Sequence, residues 1–283
     1  MAQLIFLGVC NLAGQWLYPI FGGYLDSAVE LYGRKMTKKL LLHIGTTKTG
    51  NTSIHQALVH AKAKGDLGQV CYPLWRGDLH QARMAAVYCP DELSTLLPSL
   101  RGRYPPRDKC FRRMLQKYRK FIFKELRSAE SAIISAETFS HLFSSMHAEM
   151  LREDLKALGY TEFHIVLYVR DPADFYLSST SQSLRMSDEQ PFIKDPLKFR
   201  YEFLRIAETW EQVFPGQLIV RKYPTASHFD VLEDFSNLLE RRMGIVLPCH
   251  SIRKNSSLST EAMQVLHDYR QTFWAARVRH QIL

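Results

Sequence analysis

The sequence has few cysteines, and their spacing excludes two classes of small domain. Its 283 residues include five cysteines, an odd number with no Cys-x-x-Cys pair: Cys10, Cys71, Cys89, Cys110 and Cys249. Disulfide frameworks and structural zinc sites both need paired or closely spaced cysteines. The pattern therefore argues against both and favours a reducing compartment.

Acidic residues are scarce relative to basic ones. Lys and Arg number 37 and Asp and Glu number 28, which gives a net charge of +9 at pH 7. Such an excess favours polyanionic partners. A donor with several phosphates fits this charge, and nucleic acid fits it too, so charge alone does not choose between them. The composition is globular, and the length allows one large or two small domains.

The sequence also lacks a clean membrane span or signal peptide. Residues 4–24 are mostly apolar but are interrupted by Asn, Gln, Pro and Gly, and no positive charge precedes them. Basic residues follow between 34 and 39, so insertion would leave the rest of the chain in the cytoplasm. We interpret 1–35 as an apolar extension that the fold does not need and 36–283 as the functional domain. The expected location is the cytoplasm, or the inner membrane surface if 1–35 associates with a bilayer.

Short apolar runs alternate with amphipathic segments along the rest of the chain. Strands are predicted at 40–44, 70–73, 131–134, 163–169 and 218–224. Helices are predicted from 51 to Gly65 and at 80–86, 108–127, 147–158, 196–214 and 229–243, with further helices after Pro172 and Ser259. Alternation without an internal repeat predicts an α/β fold with a central parallel β-sheet flanked by helices.

The first predicted strand runs into a loop of small residues, Gly45–Gly50, and then into a helix. We expect Asn51, Thr52 or Ser53 to cap that helix. Loop amides and first-turn N–H groups would point at one spot, where the helix dipole favours negative charge. Lys48 adds a full positive charge, so the segment predicts an anion site. The alternative is a helix-capping turn that binds nothing.

The position of the lysine argues against an ATP or GTP loop. A Walker A loop has Lys directly after its second glycine, but here Asn51 holds that place and Lys48 lies two residues before Gly50. The run G-T-T-K-T-G-N-T-S instead resembles the 5′-phosphosulfate loop of sulfotransferases that use 3′-phosphoadenosine 5′-phosphosulfate (PAPS), from which Asn51 departs at one position. The resemblance implies a P-loop NTPase-like three-layer sandwich. It also implies donor contacts from Thr46, Thr47, Lys48, Thr49, Gly50, Asn51, Thr52 and Ser53.

A second segment resembles the same family. The apolar run 163–169 leads into Arg170-Asp171-Pro172, and Ser178 follows eight residues after the arginine, as in the 3′-phosphate-binding segment of sulfotransferases. An arginine fork at a strand end suits phosphate. A local ion pair between Arg170 and Asp171 at a turn is the alternative. The late basic loop also resembles the family, which implies that Arg253 and Lys254 contact the 3′-phosphate or adenine.

Two residues are candidates for the base that removes the acceptor proton. His80 follows a Tyr-Pro pair, and Glu137 lies in Ser135-Ala136-Glu137; both segments resemble bacterial sulfotransferases. Each has a structural alternative: His80 as a packed histidine and Glu137 as a carboxylate at a helix start. Lys48 would stabilise charge on the bridging oxygen of the leaving group.

The resemblance implies sulfuryl transfer from PAPS to a hydroxyl or amine of a glycan, lipid or small-molecule acceptor. No metal is expected, because no acidic metal-binding pair follows the loop. The basic face of 108–127 is either a solvated face or a surface for an acidic acceptor such as a glycan. Two alternatives stay open: a nucleotide kinase with Asp171 on its metal, and a non-catalytic nucleic-acid binder using 108–127. Under the sulfotransferase hypothesis no nucleic-acid partner is expected.

Overall fold

The computed structural model of the protein describes residues 37–90, 108–141, 144–186, 193, 195–223, 230–248 and 259–282, the last range in part by its backbone alone. The predictions for 1–35, Arg253 and Lys254 lie outside these residues and stay predictions. No helix of the described ranges is both long and apolar enough to cross a bilayer.

The described strands form one five-stranded sheet in the order β2-β3-β1-β4-β5, in which all neighbours are parallel. The strands are β1 Lys38–His43, β2 Val70–Cys71, β3 Ser131–Ser135, β4 Tyr160–Arg170 and β5 Leu218–Tyr223. The apolar run around Leu40 therefore forms the central strand, as expected for a strand that is buried on both faces.

Helices connect the strands. In chain order they are α1 Asn51–Lys64, α2 Ala82–Tyr88, α3 Lys109–Ser128, a 3₁₀ helix Glu137–His141, α4 Ser145–Ala157, α5 Pro172–Met186, α6 Phe203–Val213, α7 Val231–Met243 and α8 Thr260–Ile282. The helix α1 ends at Gly65, whose φ of 81° is the left-handed conformation that glycine adopts readily.

The two faces of the sheet carry separate apolar cores. Leu40 and Leu42 point into a core shared with α2, α3, α4 and α6. Leu41 points the other way, into a core shared with α1 and α7. Successive side chains of a strand alternate between faces, so one short run anchors both helical layers. The predicted α/β class, with its three-layer arrangement, is confirmed.

The predicted helix 196–214 is wrong in its first third, because α6 begins only at Phe203. Before it, Tyr201 packs on Phe175 with 4.4 Å between ring centroids, and Phe203 packs on Tyr201 at 4.3 Å. The carboxylate of Asp195 accepts a hydrogen bond from the backbone amide of Leu197 and stabilises a turn there. Aromatic packing on α5 and this turn outweigh the helical period of the sequence.

Candidate functional site

The glycine loop leaves the middle of the sheet. β1 lies between β3 and β4, so the loop after His43 is flanked by the segments that follow those two strands. Open α/β sheets place ligands at this carboxyl edge. The predicted residues Lys48, Glu137 and Arg170 come from three different strand ends of that edge.

Two threonine hydroxyls hold the loop against its neighbours. The Thr46 hydroxyl donates to the carbonyl oxygen of Tyr168 at 2.8 Å, and the Thr49 hydroxyl donates to the carbonyl of Thr46 at 2.6 Å. Both side chains are fully buried. These hydroxyl protons are used inside the protein, so any donor contact from Thr46 or Thr49 would have to come from the backbone.

The predicted side-chain cap on α1 is wrong. The helix begins at Asn51, its N-cap is Gly50 with φ 80°, and no side chain caps it. A Cβ on Gly50 would lie 2.6 Å from Cγ1 of Val231 at the start of α7, so the position also needs glycine for space. The first turn contains no acidic residue, so no carboxylate of the helix itself offsets the positive end of its dipole. Thr52 is exposed and Ser53 is half-buried there.

Lys48 adopts a strained backbone conformation in the loop. Its φ is 66°, in the left-handed region, which disfavours a residue with a Cβ by roughly 1–2 kcal/mol. Strain of this kind persists where the surroundings impose it and is concentrated at ligand sites. Thr47, the preceding residue, is half-buried.

Three cations converge on the loop. Nη1 of Arg170 donates to the carbonyl oxygen of Lys48 at 3.0 Å, and the guanidinium lies over the Tyr223 ring at 5.4 Å. Burial lowers the pKa of Lys48, and the charges of Arg170 and Arg185 lower it further, whereas Glu137 opposes them. Nε of Arg170 is buried without a hydrogen-bond partner in the described part of the chain. Positive charge therefore exceeds negative charge here.

Arg185 was not predicted as a site residue. It lies in the last turn of α5, seven residues after Ser178 and hence about two helical turns along the same helix. This i, i+7 spacing was the available signal. Ser178 is only 8% exposed, so its side chain lies on the inner side of the helix. Its contact to a 3′-phosphate stays a prediction.

Asn51 links the loop to the end of β3. The side chain is 4% exposed. Its Nδ2 donates to the carbonyl oxygen of Thr46 at 2.6 Å and to Oε2 of Glu137 at 2.9 Å. The position that a Walker A loop gives to lysine is thus held by a neutral amide whose donors are already used.

His80 lies beside this carboxylate with one ring nitrogen engaged. The amide of Ala82 donates to Nδ1 of His80 at 3.2 Å. Burial lowers the pKa of His80, while Glu137 and Asp78 oppose that shift. A neutral ring that accepts at Nδ1 carries its proton on Nε2. Gln81 fixes the segment by exchanging hydrogen bonds with the backbone of Ser135.

Two further histidines, which the sequence did not single out, lie beneath the loop. The rings of His55 and His80 are 4.7 Å apart, and those of His43 and His55 are 6.3 Å apart. Burial lowers the pKa of His43 to about 3, and it also lowers that of His55. His43 shares a 2.7 Å hydrogen bond with the hydroxyl of Ser135. Both rings are therefore neutral at pH 7.

No group of three or more His, Cys, Asp or Glu in the described ranges is arranged to hold a metal ion. No protein-family model matches the chain, and no curated protein matches it.

Three solved structures are similar at low identity. One, described as the PezAT chromosomal toxin–antitoxin system of Streptococcus pneumoniae, is 13% identical with a TM-score of 0.39 and covers 91% of this chain and 97% of its own. A gluconokinase from Sinorhizobium meliloti is 12% identical with a TM-score of 0.33, and the match covers 75% of this chain and 97% of the gluconokinase. A sulfotransferase domain from the curacin biosynthetic pathway is 11% identical with a TM-score of 0.32, and the match covers 80% of this chain and 82% of that domain. TM-scores of this size carry no argument about what this chain does.

Proposed function

We propose that the protein transfers a sulfuryl group from PAPS to a hydroxyl or amine of an acceptor. The observation that carries this proposal is the hydrogen bond from Arg170 to the carbonyl of Lys48 at 3.0 Å. PAPS bears anionic groups on the 3′ and 5′ carbons of one ribose, so the two groups are near neighbours. Two adjacent cations at this edge of the sheet match two anionic groups on one ribose better than they match a linear triphosphate.

The residues present fit this donor. Burial lowers the pKa of Lys48, and the charges of Arg170 and Arg185 lower it further; a bound anion would offset the effect of those charges. The unpartnered Nε of Arg170 is a buried donor that a phosphate oxygen would satisfy. Lys48 and the first-turn amides of α1 would hold the 5′-phosphosulfate, and Arg170 with Ser178 would hold the 3′-phosphate. The bound donor supplies the activated sulfuryl group, and Lys48 stabilises negative charge on the oxygen that leaves.

Glu137 is the stronger candidate for the base. For His80 to accept a proton it would have to release the Ala82 amide from Nδ1. Glu137 has one oxygen held by Asn51, and its second oxygen has no hydrogen-bond partner in the ranges that the structure describes. We therefore assign proton removal to Glu137, and to His80 a donated Nε2–H that orients the acceptor. General-base catalysis of this kind contributes ~10²–10⁴-fold.

The nucleotide-kinase alternative has less support at this edge. The Asn51 amide fills the Walker lysine position. Asp171, its candidate metal ligand, accepts the amides of Ala173 at 2.9 Å and Asp174 at 3.3 Å. It thus serves as the cap of α5. A kinase would need that carboxylate on its metal.

Transfer of labelled sulfate from PAPS tests the proposal. The full chain is incubated with labelled PAPS and a panel of sugars, lipids and phenols, without added metal and in the presence of a chelator. We expect acceptor-dependent transfer that Glu137→Gln reduces by about two orders of magnitude or more. Turnover of Mg-ATP in place of PAPS would overturn the proposal in favour of a kinase.

A further inference from the structure

We infer that Asn51 is a positioning residue, whose side-chain amide fixes the orientation of the Glu137 carboxylate and ties it to the donor loop. The inference rests on the proposed function for its catalytic meaning, but the contact itself can be tested without activity. It assigns a role to the one loop position at which this chain departs from the sulfotransferase pattern.

The contact bridges two segments that are far apart in sequence. Asn51 opens α1 and Glu137 opens the 3₁₀ helix after β3, 86 residues later. β1 and β3 are neighbours in the sheet, with His43 level with Ser135, so the residues that follow the two strands emerge side by side. Asn51 is almost fully buried and Glu137 is half-buried, so the bond is partly shielded from competing water.

The chemistry of the position requires an amide. Asparagine has two N–H donors on one nitrogen and a separate acceptor oxygen. The nitrogen here serves both the carbonyl of Thr46 and the carboxylate of Glu137. A threonine has a single O–H donor and could serve only one of them. A lysine would place a charge there instead of a fixed pair of donors.

The loop backbone makes room for this side chain. A Cβ on Gly45 would lie 2.6 Å from Oδ1 of Asn51. Because Gly45 has no Cβ, the Asn51 amide has room for the position from which it reaches Glu137. The arrangement holds Oε2 of Glu137, and the second oxygen is left to meet the acceptor. A change in the donor loop would thereby reorient the base.

A comparison by NMR tests the contact directly. In the full-length ¹⁵N-labelled protein, the Asn51 side-chain amide resonances are assigned by their loss in Asn51→Asp and are compared at pH 7 between the wild type and Glu137→Gln. We expect them to shift in Glu137→Gln, because the Asn51 amide then donates to a neutral side chain instead of a carboxylate. Unchanged Asn51 side-chain resonances in Glu137→Gln would overturn the inference.

Kinetics then separate positioning from a merely structural role. Losing a hydrogen bond to a charged group corresponds to about 10–100-fold, so Asn51→Thr should lower kcat/KM for the acceptor by that factor. The affinity for 3′-phosphoadenosine 5′-phosphate should change much less than kcat/KM, because the lost hydrogen bond acts on the base. Asn51→Asp should lose more, because it sets two carboxylates together.

The two proposals fail in different ways. If the wild type transfers no sulfate, the proposed function fails, and the NMR comparison still decides the Asn51–Glu137 contact. If the wild type transfers sulfate and Asn51→Thr keeps the wild-type kcat/KM for the acceptor, the positioning role is wrong. An equal loss of nucleotide affinity, acceptor kinetics and thermal stability in Asn51→Thr would also overturn it, because that pattern marks a structural residue.

Discussion

Two regions of the molecule are strongly positive, and they differ in how the charge is held. The exposed face of α3 carries eight basic side chains: Lys109, Arg112, Arg113, Lys117, Arg119, Lys120, Lys124 and Arg127. The loop cluster, defined as Lys48, Arg170 and Arg185, has fewer charges. In the cluster, however, burial lowers the pKa of the half-buried Lys48, and the charges of Arg170 and Arg185 lower it further.

The difference shows that the number of charges does not identify a site. On α3 the charges lie in water, where an interaction between exposed charges amounts to at most about 1 kcal/mol. Arg119 forms hydrogen bonds of 2.9 and 2.8 Å to Asp154 and lies over the Phe123 ring. The loop cluster adds backbone strain at Lys48 and an unpartnered buried donor on Arg170. An acidic glycan or lipid on α3 stays a proposal.

The largest effect is expected for Lys48→Ala. Loss of this charge should reduce kcat for sulfuryl transfer by ~10²–10³-fold, as for removal of a group that stabilises transition-state charge. Lys120→Ala on α3 is the matched control, and its kcat should not change. Equal losses of kcat in the two variants would remove the distinction between the regions.

The next largest effect concerns the backbone of the loop. Gly50→Ala combines a left-handed φ with a clash against Val231, which should destabilise the fold by roughly 2–4 kcal/mol. Gly65→Ala is the control, because its φ is 81° but nothing lies within 4 Å of the added Cβ. It should lose only about 1–2 kcal/mol. Urea unfolding of both variants gives the comparison, and equal losses would contradict the packing of Gly50 on α7.

Arg170→Ala should act on binding rather than on chemistry. We expect nucleotide affinity to fall by about 10–100-fold, the range for a lost hydrogen bond to a charged group. The fall should be seen with 3′-phosphoadenosine 5′-phosphate and should nearly vanish with adenosine 5′-phosphate, which lacks the 3′-phosphate. Isothermal titration calorimetry of the wild type and Arg170→Ala with each ligand measures this difference. An equal fall with both would place Arg170 at the 5′ end instead.

The buried histidines beneath the loop predict a loss of stability in acid. His43 has a pKa of about 3 in the folded state because it is buried, so the unfolded chain takes up its proton first. The stabilisation is complete above pH 6.5 and is lost as the pH falls, by about 2 kcal/mol between pH 7 and pH 5. His43→Asn should flatten that slope, whereas the exposed His60→Asn should not. Identical slopes in urea unfolding would contradict the burial of His43.

Local patterns in the sequence predicted the sheet, because its strands are continuous apolar runs. The proximity of Arg170 to the Lys48 loop also followed from the order of the strands, since β4 ends at Arg170 and pairs with β1, which runs into that loop. The cap at Asn51 was not predictable, because the competing partner of its amide, Glu137, lies 86 residues away. The late start of α6 had a similar cause, namely aromatic contacts to another helix.

The central claim is that Lys48 and Arg170 together hold one ribose that carries anionic groups on both its 3′ and 5′ carbons. Calorimetry of the wild-type protein with 3′-phosphoadenosine 5′-phosphate, adenosine 5′-phosphate, adenosine 3′-phosphate and Mg-ATP tests this claim most directly. The account predicts that the bisphosphate binds at least about tenfold more tightly than each of the others, since each phosphate adds charge-assisted hydrogen bonds. Tighter binding of Mg-ATP, or equal binding of the bisphosphate and the monophosphates, would contradict it.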